Sequence, residues 1–401
     1  MAWKPICNTC DKETKISLFD SIGLVNSQHW AKTNSTKNLY LSAAYLEAIE
    51  KTLSEELEFR YLQFYNKLNE PIGMAVVQIV NLNDNVENHE DVLCHVKESI
   101  RKKLLKTIDA KVLVCGSLFS CGENGFSFND DISNKEGLEI LNSGLKRIRD
   151  SEKINDNQVS YYLLKEFWPE SFENSDAMSK HSFRDFMIDV NMVLPIHKDW
   201  NSFDDYLQSM TTKFRTKAKG ALKKSNSLEK RNMTFEEIDI HVNDIQKLYD
   251  NVTAQSDFNL GNLKGATFVE LKKQLQDSFL FLGYFNGDKM VGFCSSFVLP
   301  NGSLDANYVG LDYECNRNLA VYQRMLYDLI DVAIERDLNE VRFGRTAEEL
   351  KSTLGAKPIN MQLYIRHRNK LSNQLLKPII SSITPAVFDL RNPFKAEFSF
   401  N

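Results

Sequence analysis

Cysteine is sparse and scattered in this chain: 7 in 401 residues, with Cys7-x-x-Cys10 the only close pair. A structural zinc site needs a second such pair or a Cys/His equivalent at suitable spacing. Neither Cys94/His95 nor Cys115/Cys121 supplies one, so no metal ligand set is expected. Scattered thiols of odd number read as reduced cysteines without a shared task. No apolar run approaches the length of a bilayer span. The N-terminus, Met1 to Cys7, has no apolar signal core, and a cytoplasmic protein is expected. The 7 histidines form no nucleophilic arrangement with Ser or Cys. His181 and His197 flank a domain junction, where a structural role is expected. A net charge of −5 argues against bulk nucleic-acid binding but leaves room for a local basic patch.

What is present is ordinary soluble-protein composition, 42% hydrophobic and 26% charged, over a length that suggests two or three domains. The clearest pattern runs from Phe279 to Gly355. Phe279–Phe285 is an apolar strand entering Asn286-Gly287-Asp288, a hairpin signal because a type I′ turn needs positive φ at both central residues. Met290–Val298 returns, Pro300-Asn301-Gly302 turns again, and Leu304–Gly310 is a third strand. In that strand Leu304, Ala306 and Tyr308 alternate with Asp305 and Asn307, which predicts one apolar and one polar face. Tyr322, Met325, Leu326, Leu329, Ile330 and Ala333 recur at helical spacing on one side. Residues 339–343 are a short strand, Thr346 and Glu349 have the spacing of a capping box, and Gly355 follows the helix they open.

The first half repeats this order. Leu57–Tyr65, a polar turn and Ile72–Val77 match the later hairpin, and both return strands place a glycine (Gly73, Gly292) between large apolar residues. Val112–Cys115, a helix around Glu136–Ile148 and a strand at Val159–Leu164 follow. The element order predicts two tandem domains of similar fold. Phe183–Val193 reads as a strand closing the first, with the boundary near Leu194-Pro195, and Ser202 reads as the N-cap of the next helix. The expected division is 1–195, 196–365 and a basic, apolar C-terminal tail, 366–401.

Lys213, Arg215, Lys217, Lys219, Lys223 and Lys224 fall within twelve residues that contain no acid, with Phe214, Ala218, Ala221 and Leu222 interleaved at helical spacing. Solvated helix faces usually mix signs. A one-sign helix therefore points to an anionic partner, with a plain surface helix as the alternative.

Ser202–Leu207 leading into Thr212–Lys219, and Gly344-Arg345-Thr346-Ala347-Glu348-Glu349-Leu350-Lys351 running to Leu354-Gly355-Ala356, resemble the corresponding motifs of Fem-like, double-GNAT acyltransferases. The resemblance covers most of residues 40–365. It implies an α+β (α/β) fold of two tandem GNAT-type domains, each a mixed, mostly antiparallel twisted sheet flanked by helices, with the first domain a scaffold and the second catalytic. It also implies transfer of an activated acyl or aminoacyl group to an amine, with no bound cofactor and an acyl-CoA or acyl carrier protein thioester as cosubstrate. One departure stands out. GNAT enzymes hold pyrophosphate on a glycine-containing turn at the start of the long helix, whereas Asn316-Arg317-Asn318-Leu319-Ala320-Val321-Tyr322 has no glycine. Fem-like proteins share that loss.

Acyl transfer requires a proton acceptor for the amine, donors for the carbonyl oxygen and a proton for the leaving group. Asp305 and Asn307 are candidates to orient or deprotonate the amine, with a solvent-facing pair as the alternative, and Glu314 is a weaker base candidate. Tyr322 is a candidate proton donor, although its place on the apolar stripe favours core packing. Arg345, between a strand end and a helix start, is the leading candidate to meet an anion or acid. Lys213, Arg215 and Lys219, with Arg317 and Lys351, are the candidate donor-binding cations; Lys351 otherwise reads as a surface lysine.

Arg366, His367, Arg368 and Lys370 precede Leu371, Leu375, Leu376, Ile379 and Ile380, with Phe388, Arg391, Pro393 and Phe394 beyond. Basic residues beside an apolar segment suit an anionic membrane surface on the inner face, or docking of the apolar side on the protein itself. The leading expectation is an N-acyltransferase acting on a lipid-like or cell-envelope amine. The alternatives are a Fem-like ligase using aminoacyl-tRNA to build a peptidoglycan bridge, for which Lys213–Arg231 is too short to form the long helical arm, and a non-catalytic membrane-associated binding module.

Overall fold

The computed structural model describes residues 14–81, 111–255, 261–381, 383 and 388–398. The expectations about Cys7, Cys10, Cys94 and His95 lie outside the described residues. In chain order the elements used below are β1 (Lys15–Phe19), α1 (Ser27–Thr33), α2 (Ala43–Leu53), β2 (Glu58–Tyr65), β3 (Pro71–Asn81), β4 (Lys111–Cys115), β5 (Phe126–Phe128), α3 (Asn134–Ile154), β6 (Val159–Phe167), β7 (Arg184–Phe186) and β8 (Val190–Pro195). Then come α4 (Phe203–Ser209), α5 (Thr212–Lys224), β9 (Glu229–Asn232), α6 (Phe235–Ile240), α7 (Val242–Thr253), α8 (Gly265–Leu275), β10 (Phe279–Asn286), β11 (Lys289–Val298) and β12 (Ser303–Leu311). The last are α9 (Tyr313–Leu319), α10 (Val321–Glu335), β13 (Glu340–Arg342), α11 (Glu348–Ser352), β14 (Lys357–Asn360), β15 (Gln362–His367) and α12 (Lys370–Ile380).

The chain divides into two compact units, residues 1–188, 257–262 and 360–385 in the first, and 189–256, 263–359 and 386–401 in the second. The first unit's sheet has the order β1-β2-β3-β4-β6-β15-β7, with β5 paired to β3. Its pairs are antiparallel except β4 with β6, which run parallel. The apolar stripe of α3, with Leu138, Leu141, Leu145 and Ile148, shares a core with Leu62, Phe64, Leu113 and Tyr162. The second unit's sheet has the order β14-β8-β13-β12-β11-β10-β9; β8 with β13, β12 with β11, β11 with β10 and β10 with β9 are antiparallel, and β12 with β13 is parallel. There α10 supplies Val321, Met325, Leu329 and Ile330 to a core with Leu282, Cys294, Leu304 and Val341. Two α+β units of one plan are what the sequence predicts.

Two boundaries differ from expectation. Residues 183–193 are not one closing strand: β7 pairs with β15 in the first sheet, and β8 pairs with β13 in the second. The expected tail at 366–401 is likewise divided. β15 completes the first sheet against β6, whereas Phe394 is buried in the second unit, where Thr211 N–H donates to the Pro393 carbonyl at 2.8 Å. The division 1–195, 196–365 and 366–401 is therefore corrected: each sheet takes an interior strand from beyond the expected boundary, β15 between β6 and β7 and β8 between β13 and β14.

The paired glycines of the return strands have a shared reason. A Cβ on Gly73 would meet Phe128 Cδ1 at 2.1 Å, and one on Gly292 would meet Met325 Cε at 2.6 Å and the Gly310 carbonyl at 3.0 Å. At Gly292 this lets the start of α10 press directly on β11, which places Tyr322.

Candidate active site

The parallel pairing of β12 and β13 spans only Ser303↔Glu340, Leu304↔Val341 and Asp305↔Arg342. Beyond it β12 runs on to Leu311 without a β13 partner, while the chain after β13 turns at Gly344, whose φ is +69°. A register shift between β11 and β12 falls at the same place: Ser296 pairs Ala306, but Cys294 pairs Val309. Three β12 steps thus oppose two on β11, a bulge at Asn307-Tyr308 that bends the strand and re-aims its side chains. The predicted alternation fails here. Tyr308 packs its ring on Tyr249 and Phe268, while Val309 and Leu311 return to the core that holds Leu304 and Ala306.

The bulge separates the residues expected to act together. Leu304 faces α10, so Asp305 faces the opposite side of the sheet. There it is only 2% exposed, opposite Phe297. Tyr322 lies on the α10 side, packed against the core around Cys294 and Leu304. Asp305 therefore does not share a site with Tyr322, which corrects its role as the base. Asn307, half-buried in the bulge, stays at the divergence.

A different pair meets at the divergence, just after β13. Arg345 Nη1 lies 4.0 Å from Asp189 Oδ2. Burial, then repulsion from Glu348, holds the Asp189 carboxyl above the usual range. Arg345 is at the long limit of an ion pair and does not offset this. Burial, then the Cys294 thiol and Glu348, pushes the Tyr322 hydroxyl up to about 12. Glu348 thus acts electrostatically on both Asp189 and Tyr322. Asp189 and Glu348 were missed in the sequence. One precedes a strand assigned to the wrong sheet, and the other sits in a helical turn where acids are common.

Local backbone geometry fixes Arg345. Thr346 and Ala347 both take positive φ, 61° and 51°, and α11 has no side-chain N-cap, so the predicted Thr346/Glu349 capping box is absent. Lys351, 2% exposed, donates instead to the Gly344 carbonyl at 3.4 Å and to the Arg345 carbonyl. Lys351 is a clamp on the Gly344-Arg345 turn, which corrects its assignment as a donor-binding surface cation. Asn191 Oδ1 accepts from Gly344 N–H at 3.1 Å on the other side.

The remaining cations divide. Lys213 and Lys219 are exposed on α5, which packs on α9 and α10 through a seam that includes Ala218 and Ala221. Arg215 Nη1 donates to the carbonyls of Met210 at 3.3 Å and Gln208 at 3.5 Å, closing the end of α4. Its donor-binding role is thereby reduced to a structural one. Arg317 is exposed on α9. At the start of α10, Tyr322 N–H donates to Asn316 Oδ1 at 2.8 Å. Buried Asp328 accepts from Tyr284 Oη at 2.9 Å, Arg324 Nε at 2.9 Å and Lys230 Nζ at 3.3 Å, joining β9 and β10 to α10.

No protein-family model matches the chain, and no curated protein matches it. Solved structures do. FemX is similar at 12% identity and TM-score 0.55, over 88% of this chain and 98% of that one. The C-terminal domain of a putative lysylphosphatidylglycerol synthetase from Agrobacterium fabrum is similar at 7% identity and TM-score 0.51, over 89% and 96%. A tandem GNAT protein from the clavulanic acid biosynthesis pathway is similar at 6% identity and TM-score 0.50, over 88% and 99%. The chain has the Fem-like fold of two GNAT-type domains.

Proposed function

We propose that the second unit transfers an acyl group to an amine, with the reacting carbonyl held where β12 diverges from β13. The observation that carries this reading is the place of Arg345, 4.0 Å from Asp189, just after β13 where the bulged β12 runs on without it, with Glu348 acting electrostatically on both Asp189 and Tyr322. The amine nitrogen attacks the acyl carbon, forming the C–N bond as the donor's C–S or C–O bond breaks. Asp189, whose carboxyl burial and Glu348 hold above the usual range, takes the amine proton. Tyr322, still protonated at neutral pH, gives its proton to the departing sulfur or oxygen. Arg345 meets an anionic part of a substrate.

The leading donor is a thioester on acyl carrier protein or CoA, and the leading acceptor a lipid-like or envelope amine reached from the inner membrane face. A second reading, an aminoacyl ester carried on tRNA, is favoured by two observations. Asn316 occupies a Tyr322 amide of the kind that holds pyrophosphate in GNAT enzymes, and α5 exposes cations of one sign.

The test is incubation of the purified protein with short and long acyl-CoA, acyl carrier protein thioesters and aminoacyl-tRNA, each with an amine panel and a lipid extract, read by mass spectrometry. A new amide that collapses in Tyr322→Phe and Asp189→Asn supports acyl transfer. Transfer from aminoacyl-tRNA alone selects the second reading. No amide from any donor overturns the enzyme reading and leaves a binding module.

A further inference from the structure

The first unit carries a feature that the transfer reaction does not use. A cavity of about 950 Å³ is bounded by the end of α3, β6, β7, β15 and α12. Its lining includes Arg149, Arg184, Arg366, Arg368, Lys370 and Lys377, with Asp185 as the one carboxylate. Like charges gathered in one concavity repel, and each loses hydration there.

The cations are held rather than loose. The Arg366 guanidinium sits 4.7 Å from the Tyr162 ring centroid and 4.5 Å from that of Phe183, and its Nη1 donates to the His181 carbonyl at 3.1 Å. Arg184 Nε donates to the Asn373 carbonyl at 2.9 Å. Asn373, buried on α12, accepts from His367 N–H at 2.8 Å and donates to the Ser182 carbonyl at 2.9 Å, fixing α12 as a wall. Arg149 is paired with Asp150 at 2.7 Å, and at the rim His181 Nε2 lies 2.8 Å from Glu139. Among the described residues, no carboxylate lies within 4.0 Å of Arg184, Arg366, Arg368, Lys370 or Lys377. Burial weakens the hold of Arg366 on its proton, opposed by Tyr162 and aided by Arg149, where a carboxylate partner would strengthen it.

We propose that this cavity binds the phosphate of an anionic phospholipid headgroup. Stacked and hydrogen-bonded guanidinium groups are pre-organised for phosphate oxygens. The choice of a lipid over a soluble phosphate rests on α12, whose Leu371 and Leu375, 74% and 68% exposed, stand one helical turn apart on its outward flank, about a third of a turn round from the cavity-lining Lys370 and Lys377. Exposed apolar residues flanking lysines on one helix suit the boundary between headgroups and acyl chains. The site is independent of the transfer chemistry proposed for the second unit.

The experiment is sedimentation of the full chain with phosphatidylcholine vesicles, with and without phosphatidylglycerol. Binding should require phosphatidylglycerol, weaken with added salt, and fall about fivefold for each charge removed in Arg368→Gln, Lys370→Gln and Lys377→Gln. These exposed positions keep the test independent of the folding demands on Arg366. Leu371→Ser/Leu375→Ser should also weaken it, whereas Lys247→Gln and Lys273→Gln, exposed in the second unit, should not. Absence of binding, equal loss in the second-unit variants, or binding to inorganic phosphate with none to vesicles would overturn the proposal.

Discussion

The Tyr322 N–H donates to Asn316 Oδ1 at 2.8 Å, so a side chain of α9 satisfies an amide at the start of α10. Ala320 between them takes φ +51°, which folds α9 back far enough for Asn316 to reach. The bond works as a side-chain cap one helix removed. Asn316→Ala should lower stability by about 1 kcal/mol, read by urea unfolding. An unchanged midpoint would show that water replaces Asn316 without loss.

In the proposed transfer Tyr322 and Asp189 divide the proton work. Tyr322→Phe and Asp189→Asn should each lower kcat by about 100-fold to 10,000-fold, the usual range for a removed acid or base, with KM little moved. The pH profile carries a finer test. A base acts when deprotonated, so activity should rise with pH through the raised Asp189 pKa. Glu348→Gln removes one cause of that raising, after burial itself, and should move the acid limb to lower pH. A limb that stays in place in Glu348→Gln would exclude Asp189 as the base.

Lys351 places its ammonium under the turn that carries Arg345. Lys351→Met keeps the length of the side chain and leaves the Gly344 and Arg345 carbonyls without that donor. Stability should fall by about 1.5–3 kcal/mol, the range for a bond to a charged group, and activity should fall with it. Arg345→Ala should lose activity with little loss of stability, since Arg345 is one-third exposed. Calorimetry on both variants separates the two roles.

Asp328 joins three elements through Tyr284, Arg324 and Lys230. Asp328→Ala would leave two cations facing a buried gap and should cost about 3–5 kcal/mol. Tyr284→Phe removes a single hydrogen bond and should cost about 1 kcal/mol. Equal effects in chemical denaturation would show that the network does not depend on its carboxylate.

Strands and helices were legible wherever periodicity was long. The Leu326 and Leu329 stripe predicts α10, and the apolar runs flanking Asn286-Gly287 predict β10 and β11. The turn itself differs in detail. Asn286 pairs Lys289, so Gly287 and Asp288 are the central residues, and Gly287 alone takes positive φ. The site was less legible. Arg345 and Tyr322 stand where expected, but Asp305 points to the other face because a strand's alternation says nothing about where a helix will pack. Asp189 carried no periodic signal. It precedes a six-residue strand whose sheet is chosen by partners more than 140 residues later.

By itself the sequence determined the local elements, the two-unit plan and the reach of each apolar face, because these follow from the spacing of side chains along a few turns. Only the tertiary structure decided which sheet β8 and β15 would join, where β12 would bulge and which carboxylate would stand beside Arg345. Those outcomes depend on contacts between distant segments, whose balance of burial, pairing and charge is set only when the chain is folded.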